Sequence, residues 1–389
     1  MKRILSLLLP IALLLTACNF SSAPVEQSVE ATLPPFSPDT PSPPAINAPL
    51  VESPSLVSIQ FVNSLDGWGV TETQVVRTND GGITWYNVTP SDVTETGYLV
   101  EMFVLDARHA WLQKPDYENY PNSGVLFRTL DGGLTWTKFS TPFSGGDFAF
   151  LDSNNGWMMA VLGVATGRMG VSIFQTSDGG ATWDRKYTND PNLANAGDSL
   201  PLGGLKSGIA PLNMQTAWVY GVTYSSGAPY LYRTDDGGVN WREVVLPLPP
   251  DAEFSELGIE QGQMKFISPD DGFIALRVTR GIYRMAVYVT HDAGDTWALT
   301  PTIIPDGGSA DFLSAEEAVI YNGEQFHVTR DSARTWSVIP PDVKFGETFA
   351  QMDFINALSG WVITLDPSTN NRSLYRTHDG GATWFPVIP

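Results

Sequence analysis

Seven times the chain repeats a version of Thr-x-Asp-Gly-Gly-x-Thr-Trp. The copies centre on Asp80, Asp131, Asp178, Asp236, Asp292, Asp331 and Asp379. They end in Trp85, Trp136, Trp183, Trp241, Trp297, Trp336 and Trp384. Recurrence at about 50 residues is the mark of a propeller or a solenoid. Each unit holds a second signature upstream, an apolar run, a turn and an aromatic-led run, as in Phe61…Asp66-Gly67-Trp68 and Phe354…Ser359-Gly360-Trp361. That pattern reads as a hairpin, and the runs flanking each Asp motif read as another. The expectation is all-β: a single seven-bladed propeller of four-stranded blades, with the Asp motif turning between third and fourth strands. Closure into a ring removes exposed sheet edges.

The motif chemistry is that of a turn. An Asp side chain accepts hydrogen bonds from amides of its own turn, and Gly reaches positive φ without steric cost. The tryptophans check the repeat independently. Seven of the twelve end the motif; the other five (Trp68, Trp111, Trp157, Trp218, Trp361) share the second-strand position. Aromatics at repeat-equivalent positions are expected to pack between blades. The sixth unit is the most degraded, with Asp331-Ser332-Ala333 lacking both glycines, and the fifth, Asp292-Ala293-Gly294, keeps one.

The N-terminus reads as an export signal over 1–17: Met-Lys-Arg, an apolar run from Ile4 to Leu15, then Leu15-Thr16-Ala17-Cys18. The apolar run is too short to span a bilayer. Cys18, the single cysteine, resembles a lipobox cysteine, which carries a diacylglycerol anchor. The chain is therefore expected outside the cell membrane, or on its periplasmic side, held by lipid alone. Residues 18–54 are Pro- and Ser-rich, as expected of a disordered tether, leaving 55–389 for the propeller. An exported chain with one cysteine forms no internal disulfide.

The formal charge is −20, and removal of Lys2 and Arg3 makes it two units more negative. Such a body repels nucleic acid and favours cationic partners. Four histidines lie scattered without metal-ligand spacing, no phosphate loop or nucleophile motif occurs, and no cofactor or metal is expected. The paired carboxylates Asp270-Asp271 and Glu316-Glu317 fall in turns. One charge recurs in phase: Arg77, Arg128, Arg233 and Arg376 each precede the motif threonine. They read either as struts to a neighbouring blade or as a positive ring that binds a partner. The longer loops, residues 113–123, 163–170, 224–229 and 367–372 and the connections 186–210, 246–262 and 300–308, fall on the face opposite the Asp turns. Function is expected there, since binding residues concentrate on such loops.

The repeat resembles the Asp-box, or bacterial neuraminidase, repeat from about residue 55 to the end. Sialidases share that hairpin, yet their Arg-Ile-Pro element is missing here. The fuller pattern, Gly67-Trp68…Arg77-Thr78-Asn79-Asp80-Gly81-Gly82 and Gly360-Trp361…Arg376-Thr377-His378-Asp379-Gly380-Gly381, resembles the photosystem II stability/assembly factor family. The resemblance implies a seven-bladed, lipid-anchored, non-enzymatic binder of a protein partner, expected as a monomer. It implies partner contact through arginines, for which Arg77, Arg128, Arg233 and Arg376 are the counterparts. The alternative is a sialidase-like or other exo-acting glycosidase, or a carbohydrate-binding propeller.

Overall fold

A computed structural model of the chain describes residues 46–223 and 227–388, all within the larger of two compact units, Pro43–Pro389. Cys18 and the signal segment lie outside the described residues. The described chain is almost wholly antiparallel β, with two short 3-10 turns at Gly97–Leu99 and Gly346–Thr348.

Each repeat begins with an inner strand: Ser58–Phe61, Glu101–Val104, Gly146–Phe150, Leu205–Pro211, Met264–Phe266, Ser309–Phe312 and Phe349–Phe354. Neighbouring inner strands touch in cyclic order. The Gln60 amide donates to the Val104 carbonyl at 3.2 Å, and Lys265 Nζ to the Phe312 carbonyl at 3.2 Å. The backbone N–H of Ile209 donates to Asp147 at 2.7 Å and that of Phe354 to Asp311 at 2.9 Å. The last strand returns to the first, where the Phe61 amide donates to Asp353. The chain is an all-β propeller closed on itself.

The seven repeats do not form seven separate sheets. Five discrete sheets are present, four of four strands and one of five, and the fourth and fifth repeats are hydrogen-bonded into one nine-stranded sheet. The cause lies in the fifth repeat, where the inner strand is broken. Glu256–Gly258 and Met264–Phe266 both pair with Gly272–Arg280, and Gly258 also pairs with Val222 of the fourth repeat. The five-stranded sheet corrects the tether boundary at 54. Leu50–Val51 adds an outer strand to the first repeat, Leu50 opposite Tyr86 and Val51 opposite Trp85.

The core lies between sheets. Trp68, Trp111, Trp157, Trp218 and Trp361 are all buried. Each packs toward the following repeat: Trp111 stacks on Phe150 at 3.8 Å and Trp361 on Phe61 at 3.6 Å. Of the tryptophans that end the Asp motif, Trp85, Trp241, Trp297 and Trp384 are buried, and Trp136, Trp183 and Trp336 are half-buried.

Candidate binding face

The seven Asp turns share one construction. The threonine two residues before the Asp donates to one carboxylate oxygen at 2.7–2.9 Å, in the sequence Thr78–Asp80, Thr129–Asp131, Thr176–Asp178, Thr234–Asp236, Thr290–Asp292, Thr329–Asp331 and Thr377–Asp379. The residue four after the Asp binds both oxygens, through its amide and its hydroxyl, or through the Asn240 side chain in the fourth copy. The hydrogen bonds from Thr296 hold Asp292 down to about 2, and those from Thr335 lower Asp331. At Asp131, burial raises the carboxyl, and the turn's donors outweigh it. Both carboxylate oxygens of each Asp are engaged within its own turn, which leaves them little capacity for chemistry on a substrate.

The in-phase arginines reach into the next repeat. Arg128 donates to the Asp178 carbonyl at 2.7 Å and Arg376 to the Ser64 carbonyl at 3.1 Å. Arg77 pairs with Asp66 at 3.3 Å and reaches the Gly132 carbonyl. Arg233 pairs with Asp235 at 2.7 Å and with Asp295, of the fifth repeat, at 2.6 Å. Arg77, Arg233 and Arg376 also sit over the faces of Trp68, Trp218 and Trp361. Where the arginine is replaced, Gln175 makes the same reach to the Met214 carbonyl at 2.8 Å. The guanidinium groups are joined to neighbouring repeats.

The opposite end differs in chemistry. Its second turns, inter-repeat connections and the strand end at Tyr283 expose Tyr98, Tyr117, Tyr120, Phe254 and Tyr283, of which Tyr98 is the most open at 76%. Beneath Tyr98 lies a cavity of about 310 Å³, lined among others by Ser58, Gln60, Val100, Glu101 and Gln351. Gln261, carried in by the break in the fifth inner strand, spans two carboxylates, that of Glu101 on the cavity wall and that of Asp147. Its Nε2 donates to Glu101 at 3.2 Å and to Asp147 at 3.0 Å. Asp147 is further held by the Ile209 amide. Burial and the neighbouring Asp147 push Glu101 up to about 7, and burial pushes Asp147 up to about 6. Glu101 lines the cavity and keeps open surface. A second acidic pair, Asp311 and Asp353, lies near Lys265; burial raises Asp311 to about 6, and burial with the Asp311 charge raises Asp353 well above the usual carboxylate range.

None of these axial groups was singled out from the sequence. The available signal was a polar residue inside an otherwise apolar first strand, as in Asp147-Phe148-Ala149-Phe150 and Asp311-Phe312. Among the described residues, no group of three or more His, Cys, Asp or Glu side chains is arranged to hold a metal.

No protein-family model matches the chain. It is 22% identical over 279 residues to the photosystem II assembly lipoprotein Ycf48 of a Synechococcus species, covering 63% of this chain and 75% of that one. It is also 26% identical over 310 residues to the xyloglucanase Xgh74A of Acetivibrio thermocellus, covering 72% of this chain. The chain spans only 31% of that enzyme. Among solved structures, YCF48 bound to a D1 peptide superposes with a TM-score of 0.52 at 15% identity, over 86% of this chain and 96% of that one. A GH74 xyloglucanase from Xanthomonas campestris superposes with a TM-score of 0.57 at 12% identity, over 87% of this chain and 55% of the enzyme. Both likenesses carry the propeller fold and not its chemistry.

Proposed function

We propose that the chain is an exported lipoprotein, anchored through Cys18, whose propeller is a non-enzymatic scaffold for a protein partner, similar to the photosystem II assembly factors. In this reading the ring counts seven four-stranded Asp-box blades, two of them merged through Glu256–Gly258. The observation that carries it is the concentration of exposed Tyr98, Tyr117, Tyr120, Phe254 and Tyr283 at one end. Exposed Tyr and Phe are the side chains that protein interfaces favour. The acidic body weighs against nucleic acid as partner, and a monomer held at the outer membrane face by lipid alone completes the reading.

The test is capture of partners from the source organism's membranes by the mature protein, compared with a variant in which Tyr98, Tyr117, Phe254 and Tyr283 are alanine. Specific capture that falls away in the variant supports the scaffold; capture unchanged by all four substitutions overturns it. Changing Arg77, Arg128, Arg233 and Arg376 to Gln should lower the melting temperature. Lost capture at unchanged stability would instead make those arginines partner contacts.

One observation favours a second reading, a carbohydrate-active propeller. Glu101 and Asp147 are adjacent carboxyls with raised pKa, as a general acid requires. Turnover of xyloglucan, a fluorogenic glycoside or a sialoside that is lost in Glu101→Gln would establish it.

A further inference from the structure

We propose that the cavity beneath Tyr98 receives a cationic side chain, the lysine or arginine of a partner segment, with Glu101 as its counter-ion. The inference rests on the scaffold reading and names the chemistry of the partner at that site.

Three features meet there. The first is shape: about 310 Å³ of space, bounded by the first and second inner strands and by Gln351 of the last. The second is the wall. Ser58, Gln60 and Gln351 supply polar groups, and the exposed ring of Tyr98 supplies a face that attracts a desolvated cation. The third is charge. Glu101 and Asp147 share one amide donor, Gln261, and among the described residues neither forms an ion pair with a lysine or arginine. Glu101 meets Gln261 through a single oxygen, whereas an ionised carboxylate can accept at about four positions. Asp147 and Gln261 act on it directly, and Gln60, Gln351 and Tyr98 line the same cavity. Arg372 stands against the Tyr98 hydroxyl at 3.4 Å, on the rim, and Tyr220 lies behind Asp147.

A cation entering this space offsets the burial and the Asp147 charge that raise Glu101. Glu101 would ionise, and the proton would pass to solvent. The surrounding field agrees, because a body of charge −20 draws cations toward it. The exposed Phe254 and Tyr283 on the same end provide apolar surface for the rest of the segment.

The probes are the peptides Ac-(Gly-Lys)4-NH2 and Ac-(Gly-Gln)4-NH2, titrated calorimetrically into the full mature protein near pH 6.5. Two buffers of different ionisation enthalpy report proton exchange. The lysine peptide should bind at least about tenfold more tightly than the glutamine peptide, the scale of a charge-assisted contact, and should release protons. Glu101→Gln should remove both the preference and the proton release, while near-ultraviolet circular dichroism shows the fold intact. Tyr98→Ala should weaken the lysine peptide and leave its proton release in place. No binding, equal binding of the two peptides, or a lysine preference and proton release that persist in Glu101→Gln each overturn the inference. Partner capture that depends on the exposed aromatics but not on Glu101 sinks this inference alone. Lysine-peptide binding beside capture that ignores the aromatics sinks the scaffold reading instead.

Discussion

Gln351 and Ile59, separated by 292 residues, hold each other by two hydrogen bonds: the Ile59 amide donates to Oε1 at 3.0 Å, and Nε2 donates to the Ile59 carbonyl at 2.9 Å. One side chain thus stands in for a neighbouring strand and closes the ring. Nearby, Trp361 Nε1 donates to the Gly81 carbonyl at 3.1 Å. Gln351→Ala would orphan the amide and the carbonyl of Ile59 together, and is expected to cost about 1–3 kcal/mol. Urea unfolding would show it as a lower midpoint at unchanged slope. A midpoint equal to wild type would mean that the other closing contacts suffice.

The Asp turns carry predictions of opposite sign. Asp131→Ala removes the acceptor for the Thr135 amide and the hydroxyls of Thr129 and Thr135, and should destabilise by roughly 1–3 kcal/mol. In the degraded fifth turn, Ala293 holds φ at 58°, where an intact motif has a glycine. A left-handed conformation costs a residue bearing Cβ about 1–2 kcal/mol, so Ala293→Gly should stabilise by about 1 kcal/mol. A fall in stability would place the Ala293 methyl group in packing that matters more than the backbone.

Burial ranks the tryptophans. Trp85 is fully buried between the first and last repeats and donates to the Gly82 carbonyl at 2.8 Å, whereas Trp136 is half-buried. Trp85→Ala should cost about 3–5 kcal/mol, and Trp136→Ala distinctly less. Equal losses measured by thermal unfolding would refute a ranking by burial.

Much of this fold was legible because the repeat encodes it. The Asp turn, its flanking strands and the motif tryptophan recur in every repeat, and the second-strand tryptophan recurs in five of them, at equivalent places in the structure. Of the exposed aromatics, Tyr117, Tyr120 and Phe254 fall on the longer loops singled out from the sequence, whereas Tyr98 and Tyr283 lie outside them. The merger of the fourth and fifth repeats was not legible, because it depends on Gly258 lying within reach of Val222, a tertiary event with no periodic trace. The axial acids were missed for a related reason. Glu101 lies two residues before its in-phase Phe103, Asp147 three before Phe150, and Asp353 one before Phe354. Asp311, one before Phe312, shares the Asp353 position, but Glu101 and Asp147 stand at two others, so no single repeat position marks the set. Leu50–Val51 is too short to distinguish from its Pro-rich surroundings until Tyr86 and Trp85 are seen beside it.

Cys18 tests the anchoring proposal directly. In cells making the full chain, the wild type should fractionate with membranes and Cys18→Ser with the soluble exported proteins. Release with detergent but not with high salt would identify a lipid and not a charge attraction. Identical partitioning of the two forms would remove the anchor from the proposal.

Stability should peak in mildly acid solution because two sets of carboxyls titrate in opposite senses. For Glu101, raised to about 7, and for Asp147 and Asp311, raised to about 6, the folded pKa lies above the unfolded one. The fold therefore favours their protonated forms. Their contribution is present below about pH 4, the unfolded carboxyl range, and is lost as pH rises to about 7. Asp292, held at about 2, and Asp331, also lowered, behave in the reverse way. Their contribution is present above the unfolded value and is lost as the solution becomes more acid. Unfolding free energy measured from about pH 3 to 8 should pass through a maximum near the overlap of these ranges, about pH 4–5. Glu101→Gln removes one group from the rising set, so its descent between pH 5 and 7 should be shallower than that of the wild type. A variant curve parallel to the wild type across that interval would show that Glu101 ionises at its ordinary value in the folded ring.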